Sequence, residues 1–323
     1  MNQEKLLLLL LSLFVPWLTR CSTTIAVPDT IRLEKSALHS FDGDQLPYTK
    51  WLPKDEPEIV IIGVHGISGA AADYRPLATH LLANQTRIAV YAAETRGQGN
   101  DPIKERRGHV RKREDWYRDL YGFTALIRKK HPAAKIVWCG ESMGSLIVLH
   151  AYARQAAEIK AKPPCDAIIL SSPITEIKGD FPRWKIYAAH SLATIFPKAR
   201  ISLETLSGQD EVKVTKNSVH QRQVENNPYH IKRHTLRLLS TLGDMIETSH
   251  SAGQMVNLPM LILHGGQDIF SETKAVERFS KSLPNQKNIT LKLYPESYHL
   301  LFHDHQSDEV INDIESWLKT LNK

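Results

Sequence analysis

The stretch Gly140-Glu141-Ser142-Met143-Gly144 decides the fold, because it places a serine between two glycines in a G-x-S-x-G pattern. It follows the apolar run Lys135-Ile136-Val137-Trp138-Cys139 and opens a helical pattern in which Leu146, Leu149 and Ala153 recur. A G-x-S-x-G sequence between a strand and a helix is typical of a strained turn that lifts a nucleophilic serine above a sheet. An ordinary Gly-Ser turn is the alternative, and it would not require this context.

Other short apolar runs predict strands that are buried on both faces, as in a parallel sheet. These runs are Ile59–Val64, Ile88–Ala93, 167–170, 260–263 and Ile289–Tyr294. Helical periodicity lies between them, for example in Trp116, Leu120, Phe123 and Ile127, and again along the C-terminal segment 310–321. The alternation predicts an α/β fold with a mostly parallel, doubly wound sheet.

The alternation breaks between about residues 174 and 256, where the helical period continues with few strand signals. We therefore divide the chain into a signal or anchor segment at 1–20 and one domain at 21–323. A helical cap is inserted into that domain at about 174–256. Because ligands bind at the carboxyl ends of the strands in such sheets, a cap inserted there would cover the site.

Two further side chains follow strands in the order that a serine nucleophile on this kind of sheet requires, which is serine, acid, histidine. Asp268 comes after the run 260–263, and His299 comes after Ile289–Tyr294. We predict a triad of Ser142, Asp268 and His299, in which the aspartate orients the imidazole and the histidine transfers the proton. The alternative acid is Asp244 and the alternative base is His303.

An acyl-transfer site also needs two N–H groups that stabilise the developing oxyanion. The backbone N–H of Met143, directly after the nucleophile, is the first candidate. The second is the N–H of Ile67, because His65-Gly66-Ile67 follows the strand Ile59–Val64. A plain turn at His65-Gly66 is the alternative.

Composition excludes several classes of protein. The chain of 323 residues is 42% apolar and 24% charged, which is typical of a globular fold, and its net charge of +6 does not indicate a nucleic-acid partner. The cysteines Cys21, Cys139 and Cys165 form neither a disulfide framework nor a metal site, and we expect no metal and no cofactor. Cys139 is interpreted as a small buried hydrophobic residue.

Basic residues cluster locally in one segment with a few acids among them. They are Lys104, Arg106, Arg107, Arg111, Lys112 and Arg113. A solvated loop is the expected structure, and a patch that orients the protein on anionic lipid is the alternative.

The N-terminus resembles an export signal. Lys5 precedes an apolar stretch of 13 residues at 6–18, which is short for a membrane span and suits the core of a signal peptide. Leu18-Thr19-Arg20-Cys21 is similar to a bacterial lipoprotein cleavage box, although Arg20 stands where a small residue is usual. We predict export and anchoring in a bacterial cell envelope, with Cys21 as the candidate lipidation site. An uncleaved N-terminal anchor is the alternative.

Over roughly residues 40–320 the sequence resembles the monoacylglycerol lipase and lysophospholipase branch of the α/β-hydrolases, a serine aminopeptidase S33-like family. The motifs that carry the resemblance are His65-Gly66, Glu94-Thr95-Arg96-Gly97-Gln98-Gly99, Arg107-Gly108-His109-Val110, Gly140-Glu141-Ser142-Met143-Gly144-Ser145, Asn227-Pro228, His264-Gly265-Gly266-Gln267-Asp268 and Tyr298-His299. The resemblance implies an α/β-hydrolase fold and hydrolysis of a monoacyl lipid or other ester beneath a helical cap, with a membrane surface as a partner.

The chain departs from the family pattern shortly after the predicted oxyanion loop. Family members usually carry a glutamate and an arginine there that help to bind a polar headgroup, and the aligned positions here are Gly69 and Asp73. The resemblance therefore leaves the headgroup open, together with the acyl length and the oligomeric state. An aminopeptidase or amidase of the same fold, with Glu204 or Glu211 holding the substrate amine, and a non-catalytic envelope protein are the alternative functions.

Overall fold

The computed structural model describes residues 31–158, 163–176, 191–202, 214–218, 227 and 229–322. The predicted segment 1–20 and Cys21 lie outside these residues. Within the predicted cap at about 174–256, residues 177–190, 203–213, 219–226 and 228 also lie outside them.

The described chain alternates strands and helices after an antiparallel start. The strands are β1 Arg32–Leu33, β2 Ala37–His39, β3 Gln45–Trp51, β4 Ile59–Val64, β5 Ile88–Ala93, β6 Lys135–Glu141, β7 Ala167–Ser171, β8 Arg200–Ile201, β9 His234–Thr235, β10 Met260–Gly265 and β11 Ile289–Tyr294. The α-helices are α1 Arg75–Ala83, α2 Arg113–Lys130, α3 Met143–Glu158, α4 Leu236–Glu247, α5 Ser249–Gly253, α6 Thr273–Ser282 and α7 Ser307–Thr320.

A nine-stranded sheet in the order β1-β2-β3-β5-β4-β6-β7-β10-β11 forms the centre of the molecule. The strands from β5 to β11 in this order are all parallel, and β1 to β3 join them by antiparallel pairing. The mostly parallel sheet is therefore confirmed. The strands β1 to β3 were not predicted, because β1 and β2 are too short to show a period and β3 mixes buried and exposed positions.

The sheet separates two hydrophobic cores. Val60 and Ile62 of β4 pack with residues of α2, α3 and α6 on one face, whereas Ile59 and Ile61 pack with residues of α1 and α7 on the other. This alternation follows from the two-residue period of a strand, and it explains why β4 reads as one continuous apolar run. Helices thus cover both faces, and the doubly wound arrangement is confirmed.

The last part of the predicted cap packs against the body of the domain. The imidazole of His150 on α3 donates a hydrogen bond from Nε2 to the carbonyl oxygen of Met245 on α4, at 2.8 Å. The cap region also contains the antiparallel pair of β8 and β9, each of two residues. Strands this short leave no periodic signal, so the helical interpretation of the region missed them. No helix among the described residues is long and apolar enough to cross a membrane.

The register of the parallel strands brings their carboxyl ends to one edge. Val64 is paired with Gly140, and Glu141 is paired with Ser171, so β4, β6 and β7 end side by side. Helix α3 begins at this edge and runs back across β4. A Cβ atom on Gly144 would overlap the carbonyl oxygen of Val64. The first turn of α3 therefore lies against β4 at a distance that only glycine permits.

Replacing Gly144 with alanine should destabilise the fold, because the added methyl group has no room beside the Val64 carbonyl. We expect a loss of about 1–3 kcal/mol in the free energy of unfolding, as for other overpacked sites. Urea unfolding followed by circular dichroism measures it. Gly243→Ala on α4 is the matched control, because nothing lies within 4 Å of its Cβ position. It should be neutral or stabilising by up to about 1 kcal/mol. Equal midpoints for the two variants would contradict this account of α3 and β4.

Candidate active site

Ser142 lies in the turn between β6 and α3, in a strained backbone conformation. Its φ angle is 52°, in the left-handed region that non-glycine residues seldom adopt. The N–H of Ser142 donates to the carbonyl oxygen of Ser171 at 2.9 Å, and the hydroxyl of Ser145 donates to the carbonyl oxygen of Gly140 at 2.8 Å. These bonds hold the strained turn from both sides, as the strand–turn–helix context of the motif requires.

His299 and Asp268 form a buried hydrogen-bonded pair. The distance from His299 Nδ1 to Asp268 Oδ2 is 2.7 Å. The other carboxylate oxygen of Asp268, Oδ1, accepts the N–H of Phe270 at 2.8 Å and that of Ser271 at 3.3 Å. Both oxygens of the carboxylate are therefore engaged, which fixes the orientation of the imidazole and places the proton on Nδ1.

Each member of this pair favours the charged form of the other. Burial by itself raises the pKa of Asp268, but the nearby His299 outweighs it and the net shift is downward. Burial by itself lowers the pKa of His299, but the Asp268 carboxylate outweighs it and the net shift is upward. Within the described residues Nε2 of His299 has no hydrogen-bond partner. That nitrogen is therefore available to accept a proton.

The end of β7 connects the serine to the histidine. Ser171 accepts the hydrogen bond from the Ser142 N–H, and the hydroxyl of the next residue, Ser172, donates to the carbonyl oxygen of His299 at 2.6 Å. The ring of Phe270 meets the His299 ring edge-on, with centroids 4.7 Å apart. Sequence reasoning missed Ser172 and Phe270. The signal for Ser172 was a serine pair at the end of the apolar run 167–170.

The loop after β4 lies directly against the serine. The position that a Cβ atom on Gly66 would take is 3.3 Å from Ser142 Cβ. In the described part of the chain, no acceptor is found for the N–H of Ile67 or for that of Met143. Backbone N–H groups that have no partner within the protein are suited to an oxygen atom of a bound molecule.

The alternative acid, the alternative base and the cysteines lie at other positions in the fold. Asp244 lies on α4, and Asp268 is the acid that bonds to His299. Nε2 of His303 bonds to the carbonyl oxygen of Asp73 at 3.1 Å. Cys139 and Cys165 are free thiols that are completely buried, so the interpretation of Cys139 as a small hydrophobic residue is confirmed. Among the described residues, no group of histidine, cysteine, aspartate and glutamate is arranged to hold a metal ion.

Comparisons with known proteins identify the family of the chain. A model of the family described as serine aminopeptidase, S33, matches residues 55–306, which is more than half of the chain. A monoacylglycerol lipase from Mycolicibacterium smegmatis is 26% identical over 285 residues, which cover 87% of this chain and 96% of that protein.

Two solved structures establish the fold. The monoacylglycerol lipase of Paleococcus ferrophilus superposes with a TM-score of 0.69 at 23% identity, covering 85% of this chain and 99% of its own. A soluble variant of the monoglyceride lipase of Saccharomyces cerevisiae, in complex with a substrate analog, has a TM-score of 0.74 at 22% identity. That superposition covers 92% of this chain and 98% of the yeast chain. The predicted α/β-hydrolase fold is confirmed.

Removing the hydroxyl of Ser172 should loosen His299. In Ser172→Ala the histidine carbonyl loses its 2.6 Å partner, so we expect about 1 kcal/mol less stability to unfolding. We also expect the reaction of Ser142 with a fluorophosphonate to slow about tenfold, because small misplacements of reacting groups are costly. Ser171→Ala is the matched control, since the Ser171 hydroxyl has no hydrogen-bond partner among the described residues. Equal labelling rates for the two variants would show that Ser172 does not position the histidine.

Proposed function

The chain belongs to the serine aminopeptidase S33 family of α/β-hydrolases, and we propose that it hydrolyses the ester bond of monoacyl lipids with Ser142, His299 and Asp268 as its catalytic triad. It is a serine hydrolase, as are the monoacylglycerol lipases and esterases among its relatives. The observation that carries the proposal is the buried bond between His299 and Asp268, which leaves the second nitrogen of His299 without a hydrogen-bond partner among the described residues.

The proposed reaction uses these groups in a fixed order. His299 Nε2 takes the hydroxyl proton of Ser142 as the oxygen attacks the ester carbonyl, and Asp268 stabilises the imidazolium that forms. The N–H groups of Ile67 and Met143 donate to the oxyanion. His299 then returns the proton to the leaving alcohol, and an acyl-enzyme remains. Water, activated by the same histidine, releases the fatty acid and regenerates Ser142.

The headgroup site differs from the usual pattern of the family. Asp73 stands where relatives usually carry an arginine, and its carboxylate accepts the N–H of Ala70 at 2.8 Å, within its own loop. Gly69 stands where a glutamate is usual, and a Cβ atom there would lie 2.6 Å from Asp73 Oδ2. The space of the missing side chain is thus partly taken by Asp73. We infer that the headgroup of the substrate is bound differently from that of a typical family member.

An aminopeptidase or amidase is the second candidate function, because the matching family is described as serine aminopeptidase, S33. The acids that would hold a substrate amine, Glu204 and Glu211, lie outside the described residues. Acyl esters and aminoacyl amides offered to the same preparation distinguish the two functions.

We also propose that the protein works at an anionic membrane surface in the cell envelope, held by lipidation of Cys21 or by an uncleaved segment 1–20. Four arginine side chains support this surface. Each donates to a backbone carbonyl oxygen, which holds the guanidinium group in place without neutralising its positive charge. Arg107 donates to Asp101, Arg200 to Arg107, Arg233 to Arg200, and Arg237 to Arg111, at 2.6 to 3.3 Å. In the part of the chain that the structure describes, none of the four pairs with a carboxylate.

The predicted basic segment contributes only in part to this surface. Arg106 forms ion pairs with Asp101 and Asp44, and Arg111 forms an ion pair with Asp115. Beside the four arginines, Leu192, Ile195 and Phe196 are 48%, 67% and 58% exposed. Exposed apolar side chains next to uncompensated cations are the combination that binds an anionic bilayer.

The proposed ester hydrolysis is tested by removing the hydroxyl group of Ser142. Ser142→Ala should lower kcat for a monoacyl ester by about a millionfold, as removal of other triad serines does. Asp268→Asn should lower it by about ten thousandfold, because the amide no longer fixes the tautomer of His299. Hydrolysis of monoacylglycerols, lysophospholipids and aminoacyl amides is measured with each purified variant.

A fluorophosphonate probe should label the native protein and fail to label Ser142→Ala. Persistent labelling of that variant would refute the assignment of the nucleophile. Turnover of aminoacyl amides without turnover of esters would favour the second candidate.

The membrane proposal is tested by removing charge. The double substitution Arg233→Gln and Arg237→Gln should weaken binding to vesicles that contain an anionic lipid about thirtyfold at low salt, since each basic residue contributes roughly 1 kcal/mol. Binding to neutral vesicles should not change. The control is Arg87→Gln, because Arg87 is an exposed arginine already paired with Glu58 at 2.7 Å. The N-terminal segment is the same in all variants, so its contribution to vesicle binding does not affect the comparison between them. Equal binding by the double variant and the control would refute the docking surface.

A further inference from the structure

The residue before the nucleophile carries a carboxyl group that the mechanism above does not use. Glu141 is the last residue of β6 and is 2% exposed. Its Oε1 atom lies 3.7 Å from the position that a Cβ atom on Gly66 would take, so the carboxyl faces the loop that ends in the Ile67 N–H. Within the described residues its other oxygen, Oε2, has no hydrogen-bond partner.

The groups that face this carboxyl act on its pKa in opposite directions. Asp73 from the turn before α1 raises it, whereas His299 from the loop after β11 and His65 from the end of β4 lower it by less than burial and Asp73 raise it. The hydroxyl of Tyr74 and the thiol of Cys139 also lie nearby, and burial raises the pKa of both, so they add no charge at neutral pH.

His65 donates from Nδ1 to the Gly66 carbonyl at 2.9 Å and accepts the Thr95 N–H at Nε2, also at 2.9 Å. One nitrogen donates and the other accepts, which is the pattern of a neutral imidazole. Burial lowers the pKa of His65, but Glu94, at 3.5 Å from Nε2, outweighs it and the net shift is upward.

The positive charge that forms on His299 during the reaction is shared with Asp268, which bonds to its Nδ1. No lysine or arginine among the described residues forms an ion pair with Glu141. A carboxylate buried without a cation is strongly disfavoured, and such a group takes up a proton instead. Burial, and then the negative charge of Asp73, raise the pKa of Glu141 to about 8. At neutral pH the side chain is a carboxylic acid.

We propose that Glu141 is a positioning residue for acyl transfer that works only as a neutral acid, and that its ionisation stops the reaction. The protonated group fills the space between the oxyanion loop and the serine turn without adding charge. An ionised group there would place a negative charge close to the loop of the Ile67 N–H, where the oxyanion develops. The repulsion would oppose the stabilisation that the two N–H donors supply.

The proposal rests on Ser142 as the nucleophile, and it predicts the alkaline side of the pH profile. The acid side belongs to His299, which must be neutral to accept the serine proton. The alkaline side belongs to Glu141: the acid form, present below its pKa of about 8, is active, and the carboxylate form, present above it, is not. We expect a fall of about a hundredfold across this range, comparable to the loss of one oxyanion donor.

The experiment measures the rate of fluorophosphonate labelling against pH for the full chain and for two isosteric variants. In Glu141→Gln the amide cannot ionise, so the alkaline fall should disappear while labelling at neutral pH persists. In Asp73→Asn a neighbouring negative charge is lost, so the alkaline fall should move to lower pH. The asparagine side chain of that variant can still accept the Ala70 N–H through its amide oxygen. General damage to the fold would not abolish the alkaline fall in one variant and move it to lower pH in the other.

The outcomes separate the two proposals. A native protein that is never labelled would refute the proposed function. Normal labelling with the same alkaline fall in all three proteins would refute the role of Glu141 alone. If Glu141→Gln does not fold, an unmoved profile in Asp73→Asn refutes it equally. Infrared difference spectra give a second measurement: the native protein at neutral pH should show a carboxylic acid carbonyl band that Glu141→Gln lacks, and its absence would overturn the proposal.

Discussion

The close approach of α3 to β4 is the constraint on which the rest of the structure depends. Gly144 lets the first turn of the helix touch the carbonyl of Val64, and the chain must therefore reverse within a few residues of the end of β6. The reversal forces Ser142 into a left-handed conformation with φ of 52°. A strained residue of this kind persists only where its surroundings hold it, and the bonds from the Ser142 N–H and the Ser145 hydroxyl supply that hold.

The same constraint explains why the reactive groups come from distant parts of the sequence. Parallel strands bring their carboxyl ends to one edge, so the residues that follow β4, β6, β7, β10 and β11 meet there. Each contributes one element of the site: a loop with free N–H groups, the serine turn, a serine pair, an aspartate and a histidine. The hydrophobic cores on the two faces keep the strands in register, and the site needs no covalent link between its parts.

Much of this arrangement was predictable from sequence because its signals are local. The serine motif lies between a strand and a helix pattern, and Asp268 and His299 each follow an apolar run in the required order. Features that depend on tertiary neighbours were not predictable. The surface of Arg107, Arg200, Arg233 and Arg237 unites three separate segments. Arg106, which the sequence placed in a basic cluster, pairs with Asp44, a residue distant in sequence, as well as with the nearby Asp101. The pair of Arg111 and Asp115 is a local contact between residues four positions apart. Among the described residues no lysine or arginine forms an ion pair with Glu141, and this too depends on how three loops meet in the fold.

The end of β7 gives the site a mechanical property as well as a geometry. The carbonyl of Ser171 receives the N–H of Ser142, and the hydroxyl of Ser172 holds the backbone of His299. Ser142 and His299 are thus each hydrogen-bonded to one of two consecutive residues at a single buried strand end. A thermal displacement of that strand moves both residues in the same direction. Fluctuations of the sheet therefore change the distance between Ser142 and His299 very little. The two groups move as a unit, even though 156 positions of chain lie between Ser142 and His299.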